Sequence, residues 1–209
     1  MQGKIVIFTG NGKGKTTAAV GRGLMAVSAG YTVKMVQFLK GTGYTGELFA
    51  QKCLGEKFQI QQFGTPCWQA DQIAAGEAWC NQCGDCFRGN RNPENGFALA
   101  AFIEAQGLAK IEEVSVLILD EISHSINKKM IDLPEFIKWL KECRADLTVV
   151  LTGRSMPPEL IDLADEVNEL LPQKHPMEKG IRARWGIEYE VKIFKTIEPF
   201  NSRRERGEF

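Results

Sequence analysis

Thr9-Gly10-Asn11-Gly12-Lys13-Gly14-Lys15-Thr16 carries the residue types that a polyphosphate requires, at the spacing it requires. Glycines let backbone N–H groups turn toward phosphate oxygens, Lys15 neutralises their charge, and the Thr16 hydroxyl can reach Mg²⁺. The N-terminus of the helix that follows adds a positive field. Thr17 extends the Gly-Lys-Thr ending. The pattern normally opens on glycine, and here that position is Thr9; with glycines at 10, 12 and 14 the loop is expected to be unusually open. A second signature lies downstream. Val116-Leu117-Ile118-Leu119-Asp120-Glu121 is an apolar run ending in acid, which places Asp120 to hold Mg²⁺ directly or through water. Glu121 either orients a water or ligand group or serves as an acidic residue at a helix start.

A third cluster is of a different kind. Cys67, Cys80, Cys83 and Cys86 follow the pattern C-x₁₂-C-x₂-C-x₂-C. Four thiolates on a short, glycine-containing stretch can close a metal site. The x₂-x₂ triplet is a ferredoxin-like iron–sulfur pattern, and a tetrahedral zinc site is its main rival. Free thiols are the third alternative. Cys53 and Cys143 fall on regular elements and are expected as buried small residues.

The elements that position these groups alternate along the chain. Ile5–Phe8 reads as a buried parallel strand, and Thr16–Ala29 as a helix with Ala19, Val20, Gly23, Leu24 and Val27 on one face and Gly30 as its cap. Thr32–Leu39 completes a strand–helix–strand unit. Phe58–Phe63 is a further strand. Residues 64–92 lose periodicity and read as a loop insertion. Asn92-Pro93-Glu94 starts a helix to about Lys110, and Val114–Leu119 is the most hydrophobic strand and is expected at the centre of the sheet. Asp132-Leu133-Pro134-Glu135 opens a helix ending near Arg144. Leu147–Leu151 is a strand and Pro157–Leu163 a short helix. Val167–Leu171 and Ile187–Phe194 are candidate late strands. The order predicts a single α/β domain over 1–209: three-layer, doubly wound and P-loop NTPase-like, around a mostly parallel sheet.

Bulk composition removes several classes of partner. Twenty-six basic residues balance twenty-six acidic ones, so no net charge argues for nucleic acid or an anionic membrane. Arg203, Arg204 and Arg206 are diluted by Glu205 and Glu208 and read as a solvated tail. No apolar run is long enough to span a bilayer, and the chain enters its first strand directly after Lys4, with no signal peptide. The expected compartment is the cytoplasm, where thiols stay reduced and six cysteines are not a disulfide set.

The strand followed by Thr-Gly-Asn-Gly-Lys-Gly-Lys-Thr-Thr-Ala-Ala resembles the P-loop ATP:corrinoid adenosyltransferases, the CobA/BtuR family. Four more segments match in order: Gln37-Phe38-Leu39-Lys40-Gly41; Leu119-Asp120-Glu121-Ile122; Leu151-Thr152-Gly153-Arg154 followed by Pro157-Pro158-Glu159-Leu160; and Lys174-His175-Pro176 leading to Gly186-Ile187-Glu188. The cysteine-rich stretch departs from the pattern. The resemblance implies a homodimeric enzyme, built on a six-stranded and mostly parallel sheet, that binds MgATP and a corrinoid. Co(I) attacks the ribose C5′ and triphosphate leaves intact. Such chemistry needs no nucleophilic side chain, because Co(I) is the nucleophile. Lys13, Lys15 and Mg²⁺ at Thr16 and Asp120 can stabilise the departing charge, and Lys40 and Arg154, each beside a glycine at a strand end, are candidates for the rest of the phosphate chain. The resemblance also implies aromatic side chains that displace the lower cobalt ligand. Phe63, Trp68 and Trp79 flank that region, with core packing or loop anchoring as the alternative for each. His175 fits a loop-fixing role. A reductase or a flavodoxin- or ferredoxin-like protein is the expected electron donor, and the cysteine site, if it holds a [4Fe–4S] cluster, is a second entry for electrons. A P-loop ATPase or kinase, and a redox-responsive ATP- or corrinoid-binding regulator, are the competing functions.

Overall fold

In the computed structural model, residues 2–81 and 83–174 are described. Ile187–Phe194, His175, Glu188 and the arginine-rich tail lie outside them. The described chain forms one six-stranded sheet. Its strands are β1 (Ile5–Thr9), β2 (Thr32–Phe38), β3 (Phe58–Phe63), β4 (Val114–Asp120), β5 (Thr148–Thr152) and β6 (Glu166–Glu169). Their spatial order is β3-β2-β4-β5-β1-β6, and every pairing is parallel. β4 lies in the interior of the sheet, as its hydrophobicity predicts.

A parallel sheet buried on both faces must send alternate side chains into two cores. Val6, Met35, Val116, Ile118 and Val150 face one layer, with Ala19 and Ala26 of α1 (Lys15–Ser28) packed on them and Leu48 of α2 (Gly46–Leu54) at the margin. Ile7, Val36, Leu117, Leu119 and Leu151 face the other. There they meet α5 (Phe97–Leu108), α6 (Ile122–Asn127), α7 (Leu133–Glu142) and α8 (Pro158–Leu163). Helices on both faces make the sheet doubly wound. Phe102, Phe136 and Trp139 interlock between α5 and α7, with ring centroids 5.3–5.5 Å apart.

Several expectations need correction. Leu24, placed on the apolar face of α1, is exposed; the helix instead buries Lys15, Ala19, Gly23 and Ala26. The stripe is narrow because Gly23 lies against the Phe58 ring and brings the helix close to the sheet. The helix expected from Asn92 starts five residues later. Asn92 caps a single 3₁₀ turn, Pro93–Asn95, and Gly96 at φ 66° breaks it before α5 begins. Residues 64–92 are not wholly irregular, for they carry α3 (Ala70–Ala74) and α4 (Asp85–Arg91). Of the two cysteines expected to be buried, Cys53 is exposed on α2 and Cys143 is partly buried, its thiol pushed up to about 11 chiefly by that burial. The cap of α1 is as expected: Gly30, at φ 91°, donates to the Val27 carbonyl, and Tyr31 to that of Ala26, a Schellman arrangement. No helix among the described residues is long and apolar enough to cross a membrane.

Candidate active site

All strands point the same way, so their carboxyl ends open onto one edge, where open α/β sheets bind ligands. The register brings Gln37 of β2 beside Asp120 of β4, and Phe8 of β1 beside Thr152 of β5. The phosphate loop, Asp120, Thr152 and Lys40 therefore gather at a single mouth. Backbone strain collects there too. Leu39, Glu121 and Ser155, in the turns after β2, β4 and β5, have φ of 56°, 62° and 48°. Left-handed geometry at non-glycine residues costs about 1–3 kcal/mol each and persists where the surroundings impose it.

Lys15 is buried, and its Nζ donates to the carbonyls of Gly10 and Gly12, each at 2.9 Å. The ammonium is thus held in the mouth of its own loop. Burial lowers its pKa, against the charge of Glu121, while Arg154 also lowers it and Asp120 raises it. The glycines do more than face phosphate. A Cβ at Gly10 or Gly12 would lie 2.5 or 2.7 Å from the Leu170 carbonyl oxygen, and the Gly12 N–H donates to that oxygen at 2.7 Å. Far from being unusually open, the loop is closed on one side by the chain leaving β6. Asn11, Lys13 and Thr17 are exposed, whereas Thr9 is buried and its carbonyl accepts from Leu170 N.

Asp120 is fully buried and accepts four hydrogen bonds. Oδ1 takes protons from Thr16 Oγ1 (2.8 Å) and Thr152 Oγ1 (2.6 Å), and Oδ2 from Gln37 Nε2 (3.0 Å) and Lys40 Nζ (2.7 Å). Burial alone would raise this carboxyl, but the Lys40 charge and the bonds from Lys40, Thr152 and Thr16 outweigh it and hold it below the usual range. Lys40 also pairs with Glu47 at 3.2 Å, and despite its burial the two carboxylates keep its ammonium firmly protonated. Lys40 was expected on the phosphate chain; its ammonium is instead committed to an internal ion pair. Gln62 extends the network by donating to Gln37 Oε1 (2.8 Å) and Thr45 Oγ1 (3.2 Å).

Gln37, Glu47, Gln62 and Thr152 carry no role in the sequence reading. Gln37 left a signal, a polar residue interrupting the apolar run of a doubly buried strand; Glu47 and Gln62 left none. Arg154 is exposed, in electrostatic range of Lys15 and Glu121. Phe63 packs on the core, whereas Trp68 and Trp79 are exposed, Trp68 beside the cysteines. The four cysteines line one cavity, yet among the described residues no three His, Cys, Asp or Glu side chains converge closely enough to hold a single metal ion.

Glu121 N donates to Thr152 Oγ1 at 3.0 Å, which fixes the turn. Burial and the neighbouring Asp120 charge raise the Glu121 carboxyl, with Lys40, Lys15 and Arg154 opposing. A raised carboxyl makes the native state hold its proton longer than the unfolded chain does. Stability therefore falls as pH rises from the ordinary glutamate value through the folded one, and the penalty is complete above it. Glu121→Gln is expected to raise Tm at neutral pH by a few degrees, with the gain shrinking toward pH 4, and to lower turnover. Thermal melts across that range check the first part; an unchanged or lower Tm at pH 7 contradicts it.

The family model described as ATP:corrinoid adenosyltransferase BtuR/CobO/CobP matches residues 1–189. The chain belongs to this family. It is 34% identical over 188 residues to the corrinoid adenosyltransferase CobA of Salmonella typhimurium, covering 90% of this chain and 86% of that protein. The same figures hold for the corrinoid adenosyltransferase of Escherichia coli K12. The Sinorhizobium relative is 36% identical over 189 residues, covering 90% of this chain and 81% of its own length. The six-stranded parallel sheet is the fold that the resemblance implied.

Proposed function

We propose that this chain transfers the 5′-deoxyadenosyl group of ATP to the Co(I) centre of a corrinoid, releasing triphosphate, in the making or salvage of adenosylcobalamin. The observation that carries the proposal is the buried Asp120 network joined to Thr16 of the phosphate loop, in a chain that matches the adenosyltransferase family over residues 1–189. The Co(I) electron pair forms the cobalt–carbon bond. The C5′–O bond breaks, and triphosphate departs with its electrons.

The protein's part is positioning and charge. Lys15 and the loop N–H groups grip the phosphates, and Arg154 reaches them from the turn after β5. Thr16 and Asp120 fit Mg²⁺: Thr16 donates its proton to Asp120 and so turns its lone pairs outward. With all four acceptor positions of Asp120 filled, the residue supports the ion through Thr16 and water rather than by direct contact. Bound Mg²⁺ supplies charge neutralisation on the leaving triphosphate. Lys40 and Gln37 hold Asp120 ionised and in place. Trp68 and Trp79 are candidates for the corrinoid face, and Phe63 supports it from the core. In this reading the chain is a single domain and works as a cytoplasmic homodimer. A reductase or a flavodoxin- or ferredoxin-like donor supplies the electron that makes Co(I).

Incubation with MgATP, a corrinoid and a strong reductant tests the reaction. A light-sensitive alkylcobalt spectrum with triphosphate released intact is expected. Release of inorganic phosphate without alkylcobalt would instead identify an ATPase or kinase.

A further inference from the structure

Adenosyl transfer gives no work to Cys67, Cys80, Cys83 and Cys86. Their placement nonetheless has structure behind it. All four thiols are free and line one cavity of about 420 Å³, whose lining also includes Tyr44 and Thr45. Cys83 and Cys86 flank the start of α4, with Gly84 at φ 78° turning the chain between them. α4 is itself pinned. Asn90 Oδ1 accepts from Thr65 N at 2.7 Å, and Asn90 Nδ2 donates to the Leu39 carbonyl. Gly89 passes so close to Thr65 that a Cβ there would lie 2.1 Å from its hydroxyl. Cys86, and Cys83 beside it, are therefore carried by a helix locked to the turns after β2 and β3.

The number and sequence spacing of the thiols point to one class of centre. All four line a single cavity, although no three His, Cys, Asp or Glu side chains among the described residues are already gathered on one point that could hold an ion. The x₂-x₂ spacing is that of iron–sulfur ligation, and four thiolates complete the ligand set of a four-iron cluster. A tetrahedral zinc ion is the rival occupant.

We propose that Cys67, Cys80, Cys83 and Cys86 ligate a four-iron, four-sulfide cluster in this cavity. Assembly takes up ferrous and ferric iron in equal parts with inorganic sulfide, so no electron is gained or lost, and each thiol gives up its proton on binding. The site adjoins the nucleotide site through hydrogen bonds: Thr45 on the cavity wall accepts from Gln62, Gln62 donates to Gln37, and Gln37 donates to Asp120. The proposal stands or falls independently of adenosyl transfer.

The full chain, purified without oxygen and reconstituted with equal parts of ferrous and ferric iron and with sulfide, is assayed for iron, acid-labile sulfide and zinc. About four irons and four sulfides per chain are expected, with a broad visible absorption that bleaches on reduction. Cys83→Ser and Cys86→Ser are expected to lose more than half of the iron, and Cys53→Ser, on α2, none. ATP binding by the same samples shows that the variants are folded and that the phosphate loop is intact. If the variants do not fold, the iron and sulfide content of the unmodified chain decides. Stoichiometric zinc without iron, or no metal after reconstitution, overturns the cluster while leaving the nucleotide site untouched.

Discussion

Lys15→Ala is expected to lower kcat/KM for adenosyl transfer by about 10³-fold, in line with removal of a preorganised charge-stabilising donor. The ammonium already occupies the mouth of the loop, held by the Gly10 and Gly12 carbonyls, so little reorganisation precedes its use. The same geometry predicts that Lys15→Arg does not rescue. A guanidinium is too broad for a buried position beneath a loop whose glycines already touch the Leu170 backbone. Stability should change little, by about 1 kcal/mol, since the loop carbonyls lose one shared partner. ATP affinity and turnover measured together, with a melt to show that the fold is kept, check this. Activity within tenfold of the parent protein would remove Lys15 from the reaction.

The parts of this site that could be read from the sequence are those that local chemistry specifies. A phosphate loop is built from eight consecutive residues, and its strand and helix flank it directly, so Gly10 to Thr16 and β1 were legible together. Asp120 was legible because it follows the continuous apolar run Val116–Leu119. β1 and β5 stood out for the same reason, each carrying a short continuous apolar run. What surrounds Asp120 was not legible, because Thr152, Gln37 and Lys40 come from β5, β2 and the turn after β2 and meet only through sheet order. Lys40 in particular read as a cation for the phosphate chain. Its commitment to Asp120 and Glu47 depends on α2, which the sequence hid: Gly46 opens that helix and Gly55 follows it, in a stretch with little periodicity. α6 was hidden differently. Its Ile-Ser-His-Ser-Ile-Asn is poor helix-forming sequence, and it forms because Ile122 and Ile126 are drawn into the core. The role of Gly10 and Gly12 was half legible. Their type was explained by phosphate, but their packing against Leu170 depends on a strand more than 150 residues away.

Asp120→Ala is expected to be the most destabilising single change at this site. It removes the counterion of Lys40, leaves the hydroxyls of Thr16 and Thr152 without their acceptor, and leaves the Gln37 amide with Glu47 alone. Breaking a buried pair from one side costs about 3–5 kcal/mol, which at this chain length lowers Tm by roughly 10 °C. The remaining charge, rather than the lost bond, dominates that cost, since Lys40 retains only Glu47, at 3.2 Å. Lys40→Met in the Asp120→Ala background should therefore recover at least half of the lost stability while restoring no activity. The pH dependence follows from the lowered Asp120 carboxyl. Its contribution is fully present above the ordinary aspartate value and is lost as pH falls through the lower folded one, so the parent and Asp120→Ala should converge in stability only in strong acid. Denaturant titrations of the two single variants and the double variant, at neutral and acid pH, give the coupling directly. If the double variant is no more stable than Asp120→Ala, Lys40 is not the stranded charge, and the ion pair is not what holds this mouth of the sheet together.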